Sequence, residues 1–397
     1  MTGALVPNPH ASILPVGSGP GIEALVVRAP VRGRGLRTTT VRRAEAPEAF
    51  RSALGYFLTR GRGAATPVAP RDASHLQALG VLVSPEEVSR PPRLACDLDD
   101  LADPIRARSA PAARAGQDEL IVNPTLEPLA DADRSSLGFL AEDRAWAWLE
   151  DPDHHARALV SARGETAGLL ARLTPGQSAP EVGRDVAARL RAGGVLVSPA
   201  AFAAGRGRRA RAVEEAAGEL ALRAYAILPA VLPPILLAGL RRYYRELAAE
   251  GGLTPGDHEW PHRDFAGNEA VGRFFHRELA PLLSGLAREP VKPSFLYYAA
   301  YHGGAALAPH RDREQCEWGV SLQLDHVPEP EGPAPWPLHL EHPETGDPPA
   351  AVRLRLGELA VYRGRLLRHH RDPLTAGHTS SYWFLFYVPE AFSGPLE

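Results

Sequence analysis

From Lys292 onward the chain breaks into short β-type runs separated by turn residues, and this pattern constrains the fold more than any other feature. The runs cover residues 295–298, 319–324, 337–340, 352–356, 359–362 and 382–388. Strands this short and in this order predict two packed sheets, a sandwich or jelly roll. Just upstream, 225–229 reads as a strand. Leu236, Leu237, Leu240 and Tyr244 then mark one face of a helix over 233–249, with proline near its start. One or two helices are therefore expected in front of the sheets, and the chain as a whole is expected to be α+β.

Charge excludes several functions. The 397 residues carry 44 Lys+Arg against 47 Asp+Glu, a formal net charge of −3, which argues against a nucleic-acid or membrane footprint. Lys292 is the only lysine, so Schiff-base and P-loop chemistry are close to excluded. No apolar run of about 18 residues occurs, and Met1–Val16 lacks a basic stretch followed by an apolar core. Cys96 and Cys316 lie too far apart in sequence to suggest a disulfide framework or a thiolate zinc site. A reducing cytoplasm is the expected location. Eleven of the 15 histidines fall between His258 and His378, so chemistry is expected in the last third.

A domain break is expected near 205–220, where an Arg-Gly-rich stretch reads as a solvated hinge or the start of a charged helix. This gives an N-terminal α/β domain at 1–215 and a C-terminal domain at 222–397. The N-terminal part contains an echo: Gly-Val-Leu-Val-Ser-Pro occurs at 80–85 and at 194–199, each time after a Leu-rich amphipathic stretch. Helix, turn, helix and short strand is the order of a small winged-helix module, present twice. Neither copy has a densely basic recognition helix, so peptide binding, homodimerisation or an architectural role is expected rather than DNA binding. Between the copies, 118–124 looks like a strand, and 144–149 alternates as a half-buried strand does, with Trp146 and Trp148 forming a core pair. The stretch 91–114, rich in Pro, Asp and Arg, reads as an exposed linker.

His-Arg-Asp occurs three times, at 262–264, 310–312 and 370–372. A kinase catalytic loop is rejected: there is no Asp-Phe-Gly, and the only lysine follows the first copy. The other reading is a facial metal site. On a strand, residues i and i+2 project to one side, so a His and a carboxylate can share an ion and take a third ligand from a distant strand.

The middle copy has the surroundings for this. Tyr301-His-Gly-Gly-Ala-Ala-Leu-Ala-Pro-His-Arg-Asp312 resembles the ligand-bearing strand of the 2-oxoglutarate-dependent, prolyl-hydroxylase-like dioxygenases, Tyr-x-x-Gly-x-x-Leu-x-x-His-x-Asp. The segment from Tyr362 to Gly377 is similar to the family's distal strand and selects His369, four before Pro373, as the third ligand. The resemblance covers roughly residues 222–393. It implies a double-stranded β-helix, Fe(II) held by His310, Asp312 and His369, and 2-oxoglutarate and O2 as cosubstrates.

One departure concerns the cosubstrate anchor. The family usually places Arg or Lys nine to eleven positions after the distal His, whereas here His378 is nine on, with Ser380 beyond it. The resemblance leaves His378, assisted by Ser380, or else Arg371 or another nearby arginine, as the group that meets the 2-oxoglutarate carboxylate, with Tyr301 beside them; a different cosubstrate is the remaining alternative. His370 is expected to face away from the metal, in a surface or supporting role. His262 is expected at the surface or the substrate mouth, in a loop before a helix. His339 and His342 would bind iron only if the distal assignment were wrong. Cys316 is expected to be buried and inert, and Arg313, Glu314 and Gln315 lie where substrates enter related enzymes.

The expected function is hydroxylation of an unactivated C–H bond on a peptide, amino acid or other small molecule, in natural-product tailoring if the front domain binds peptides. Its rival is a non-catalytic jelly-roll protein that binds a peptide or partner.

Overall fold

The computed structural model describes residues 5–8, 11–16, 23–31, 35–60, 70–88, 92–102, 120–130, 137–256, 262–344 and 348–396. Contacts divide the chain into two units, Met1–Pro92 with Tyr244–Pro255, and Arg93–Tyr243 with Gly256–Glu397. The interval 205–220 holds no break in secondary structure. It lies inside one helix, Pro199–Arg223, whose start is capped by the Ser198 hydroxyl and marked by Pro199. Alanine, arginine, glutamate and leucine dominate this segment and are strong helix formers, enough to carry it through its glycines.

In the first unit, strand β1 (Val6–Pro7) is followed by β2 (Ser12–Val16), β3 (Ala24–Val31) and β4 (Gly35–Arg42), of which the last three form an antiparallel sheet. Helices Pro47–Arg60 and Pro70–Ala78 follow, then β5 (Leu82–Val83), which pairs with β1. Leu25, Val27, Phe50, Leu76 and Val81 form the core.

The second unit begins with the same order. β6 (Ile121–Val122) leads to an antiparallel sheet of β7 (Glu127–Pro128), β8 (Ala145–Glu150) and β9 (Arg157–Ala162). Helices Gly164–Leu170 and Arg184–Ala192 come next, then β10 (Leu196–Val197), which pairs with β6.

The duplication thus extends beyond the shared hexapeptide: the expected helix, helix and short strand occur in each copy, and a three-stranded sheet precedes them. A matching hook closes both. Gly80 and Gly194 each adopt φ +74°, a left-handed turn that glycine enters without steric cost. Asn8 Nδ2 donates to the Gly80 carbonyl at 3.0 Å, and Asn123 Nδ2 donates to the Gly194 carbonyl at 2.8 Å. The backbone N–H of each Asn bonds the carbonyl of the next residue, Val81 or Val195.

Part of the expected linker is interior. Leu94, Cys96, Asp97 and Leu98 are buried, and Asp97 accepts hydrogen bonds from Arg144 Nε and Ser161 Oγ. Residues 103–114 lie outside the described residues. Trp146 and Trp148 are both buried, as expected of a core pair, but β8 is covered on both faces rather than one.

The C-terminal part forms two facing sheets. The larger contains β11 (Tyr225–Leu228), β12 (Arg263–Gly267), β13 (Val291–His302), β15 (Trp318–Val327), β18 (Leu359–Arg363) and β20 (Thr379–Pro389), in the order β11-β18-β15-β20-β13-β12. The smaller contains β14 (Leu307–His310), β16 (Leu338–Glu341), β17 (Ala350–Val352) and β19 (Arg368–Arg371), in the order β14-β19-β16-β17. Every pairing is antiparallel. This is the expected jelly-roll arrangement. Three helices precede β13 rather than one or two: Pro234–Ala249, Ala270–Glu278 and Ala280–Ala287. The predicted run 352–356 stops being a strand at Val352, although Leu354 stays buried.

Strand alternation separates the two faces of the larger sheet. Tyr297, Ala299 and Tyr301 of β13 lie opposite Phe384, Tyr382 and Ser380 of β20, giving one face a row of aromatic and hydroxyl groups. Trp383 belongs to the other face, stacked 5.6 Å from Phe275 of the covering helix. Fully burying an aromatic side chain of this kind contributes about 1.5–3 kcal/mol. No helix among the described residues is long and apolar enough to cross a membrane.

Candidate metal and carboxylate site

His310 closes β14 and lies opposite His369 of β19, with ring centroids 4.3 Å apart. Asp312 is in the loop just past β14, so the expected continuous strand from His310 to Asp312 ends one ligand early. The loop is nevertheless fixed, because the Asp312 backbone N–H donates to the Gly364 carbonyl at 2.9 Å. Asp312 Oδ1 stands 3.6 Å from Nε2 of both His310 and His369.

The imidazoles are oriented from behind. Nδ1 of His310 lies 2.8 Å from the Ala308 carbonyl, and Nδ1 of His369 lies 3.1 Å from the Leu367 carbonyl. A carbonyl only accepts, so Nδ1 must carry the proton in each ring, and in the neutral imidazole Nε2 presents its lone pair toward Asp312. Asp312 Oδ2 is buried without a hydrogen-bond partner. Three ligand atoms within 4.8 Å of one another therefore converge with unused lone pairs. Ligands about 2.1 Å from one ion, at right or tetrahedral angles, stand about 3–3.5 Å apart, so the spacing fits a cation after a small contraction.

Protons and metal would compete for this charge. Burial pushes the Asp312 carboxyl up, but His310 and His369, when a proton on Nε2 takes the place of a metal, outweigh it and hold the group below the ordinary carboxylate range. The bond with Asp312 raises the His310 imidazole against burial. Gly364 makes the arrangement sterically feasible: a Cβ there would sit 2.1 Å from Asp312 Oδ2.

Arg371, two residues beyond His369, projects to the same side of β19, and both are buried. Its Nη1 donates to the Trp336 carbonyl at 2.7 Å and to the Tyr382 hydroxyl at 3.2 Å. The guanidinium lies 4.7 Å from the Trp336 ring centroid and 4.4 Å from that of Tyr382. Its Nε has no hydrogen-bond partner, and no carboxylate among the described residues pairs with it. A cation removed from water without a counter-ion costs several kcal/mol, which an anion bound beside Arg371 would offset.

Tyr301 joins the same cluster, its ring 5.0 Å from Trp336. Burial raises its phenol, opposed by the Arg263 and Arg371 charges. Ser380 Oγ bonds Tyr382 at 3.3 Å and Gln323 Nε2 at 3.1 Å, and approaches His326 Nδ1 at 3.1 Å. His378 is held by His326, with Nδ1 3.1 Å from His326 Nε2. Burial, followed by the charge of His378, depresses His326 despite Asp325. The structure thus brings Tyr301, Arg371 and Ser380 together around Tyr382 and connects His378 to them through His326.

No family model and no curated protein matches this chain. Among solved structures, it is similar to the non-haem α-ketoglutarate-dependent epimerase SnoN from nogalamycin biosynthesis, at 17% identity over 47% of this chain and 94% of that one, with a TM-score of 0.39. It is similar to a prolyl-4-hydroxylase from Pseudomonas putida at 17% identity over 45% and 100% of the two chains, TM-score 0.36. A third is an oxidoreductase of the 2OG-Fe(II) oxygenase family from Burkholderia pseudomallei, at 14% identity over 44% and 89%, TM-score 0.35. Each likeness spans under half of this chain.

The other predicted residues separate from the triad. His262 precedes a strand, β12, rather than a helix, and Asp264 pairs with His302 at 2.9 Å. His370 faces away from His369 and stacks on His339. The Arg313 guanidinium lies 4.7 Å from the Phe295 ring centroid, and Gln315 is buried. Burial, with the Asp312 charge, pushes the Cys316 thiol up to about 12, in keeping with an inert residue. Sequence reading missed Trp336, hidden in a proline-rich run, and Gln323, His326 and Tyr382. Alternation along 382–386 was the available signal for Tyr382.

Proposed function

We propose that this chain is an Fe(II)- and 2-oxoglutarate-dependent oxygenase. The observation that carries the reading is the convergence of His310 Nε2, His369 Nε2 and an unsatisfied Asp312 carboxylate beside a buried arginine without a counter-ion. His310, Asp312 and His369 would hold Fe(II) and leave one side of the ion open. Arg371 would pair with the far carboxylate of 2-oxoglutarate, next to Tyr301, Tyr382 and Ser380. His378 then acts through His326 to hold Ser380, rather than as the anchor itself. With O2, the bound iron and 2-oxoglutarate supply the oxidising power to break an unactivated C–H bond.

The chain's own contribution is positioning and exclusion of water. Phe265, Phe295, Tyr297, Phe384 and Phe386 form an aromatic wall in the same cluster as Tyr301 and Tyr382, which supports a substrate with an apolar portion. Hydroxylation of a peptide, amino acid or related small molecule in natural-product tailoring belongs to the same proposal. So does self-association or peptide capture by residues 1–215.

The test is anaerobic Fe(II) titration followed by succinate measurement in the presence of O2. Wild type should take up one Fe(II) at His310, Asp312 and His369 and form succinate, while Asp312→Ala should do neither. Undiminished metal uptake and succinate formation by the variant would overturn the reading.

A further inference from the structure

Strand β19 presents a second set of metal-ligating atoms on its opposite side. His370 lies opposite His339 of β16, and the two rings stack at 4.7 Å with planes 12° apart. Asp372 follows two residues after His370, and its Oδ2 is 3.2 Å from His339 Nε2. That nitrogen has no aligned hydrogen-bond partner despite its buried position. One ligand atom from each of the three residues lies within 4.8 Å of the other two.

The pattern repeats that of the inner triad: His-x-Asp from one segment and a His from the paired strand. Inside, these are His310, Asp312 and His369; outside, they are His370, Asp372 and His339. We infer that His339, His370 and Asp372 form a second divalent-metal site on the outer face of the smaller sheet, suited to Zn(II). Two imidazoles and one carboxylate are a borderline donor set that favours first-row transition ions over Mg(II) or Ca(II). The Asp372 side chain is 70% exposed and that of His339 19%, so the site opens to solvent and has room for water ligands.

An ion there would clamp β16 to β19 one residue from Arg371. The clamp would also reach Trp336, whose Nε1 donates to the Asp372 carbonyl at 2.6 Å. Outer-site occupancy is therefore expected to raise thermal stability, since a ligand bound only by the folded state stabilises it.

The test uses tag-free full-length protein carrying His310→Ala and Asp312→Ala to disable the inner triad. Equilibrium dialysis with Zn(II), and Co(II) titration followed by visible absorption, should each report one ion per chain. Adding His339→Asn and His370→Asn should abolish that ion, while metal-free thermal unfolding and circular dichroism stay unchanged. Mg(II) should not displace Zn(II). If the inner-site variant fails to fold, wild type should bind two Zn(II) and Asp372→Asn should bind the second at least ~10-fold more weakly, as loss of a direct ligand exceeds the usual cost of losing a supporting group. Zn(II) binding that survives His339→Asn and His370→Asn in the inner-site variant, or no outer ion in either protein, would overturn the inference. Fe(II) uptake by the His339→Asn, His370→Asn protein checks the inner site separately.

Discussion

Replacing Gly364 with alanine should remove the metal while leaving every metal ligand in the sequence. The new Cβ would sit 2.1 Å from Asp312 Oδ2, 2.8 Å from the Cys316 carbonyl oxygen and 2.9 Å from Asp312 Cγ. Ordinary contact begins near 3.4 Å, so the carboxylate oxygen must retreat by about 1.3 Å (3.4 − 2.1). Metal–ligand distances tolerate only about 0.2 Å. Asp312 cannot yield freely, because its backbone is tied to the Gly364 carbonyl and the Cys316 carbonyl closes the other side. Gly364 is absent from the left-handed backbone positions, so alanine adds no backbone strain and the effect is purely one of space. Overpacking of this kind costs about 1–3 kcal/mol of stability, and losing the Asp312 ligand should weaken metal binding by roughly 100-fold or more. Anaerobic Co(II) or Fe(II) titration gives the affinity, and thermal unfolding gives the stability. Gly332→Ala is the matched control, since nothing lies within 4 Å of a Cβ there. Gly364→Ala protein that binds metal within threefold of wild type would refute the packing argument.

Arg371→Ala should retain Mn(II) uptake but weaken 2-oxoglutarate binding by roughly 100-fold, the ~2.7 kcal/mol scale of a lost charge-assisted hydrogen bond; calorimetry at saturating Mn(II) reads this, and wild-type affinity would shift the anchor to His378. Asn8→Ala and Asn123→Ala each strip a buried glycine carbonyl of its side-chain donor and should cost about 1–3 kcal/mol in urea unfolding. Asp97 supplies a pH prediction. Burial pushes its carboxyl up, but Arg144 and Ser161, with Arg163, outweigh this and lower it. A carboxyl lowered on folding contributes stability that is fully present above its unfolded value, near ~4, and is lost as pH falls through the lower folded value. Unfolding midpoints measured from pH 6 down to pH 2 should therefore drop less steeply in Asp97→Asn than in wild type, and parallel curves would contradict the assignment.

Features carried by local pattern were legible in the sequence; those that depend on distant partners were not. The runs around 295–298, 319–324 and 382–388 showed their strands because alternation and turn residues are local signals. The triad was legible because Tyr301-to-Asp312 and Tyr362-to-Gly377 keep their spacing. The asparagine hooks left only a shared Asn-Pro, at 8–9 and 123–124, as a trace: Asn8 and Asn123 act on glycines 72 and 71 residues away, and a dipeptide does not name so distant a partner. The burial of 94–98 was masked by the Pro, Asp and Arg around it, since composition averages over a segment whose interior and exposed parts differ. Arg371 was visible as a charge near the metal. Its importance lies in the missing counter-ion, which only packing against Trp336 and Tyr382 reveals.

β19 is four residues long, and its buried pattern places His369 and Arg371 on one side and His370 on the other. Because side chains alternate, a slip of one residue that carries His370 into the place of His369 would turn His370 and Asp372 inward. An imidazole would still face the metal, but the place of the guanidinium would be taken by a carboxylate. The preference proposed for the pocket would then reverse, from attracting a dicarboxylate to repelling one, while its proposed capacity for a cation persisted. Deleting one residue between Gly364 and Arg368, with the turn at Gly364 held, should therefore produce this reversal, so the register of one short strand decides the sign of the charge that the proposed pocket accepts.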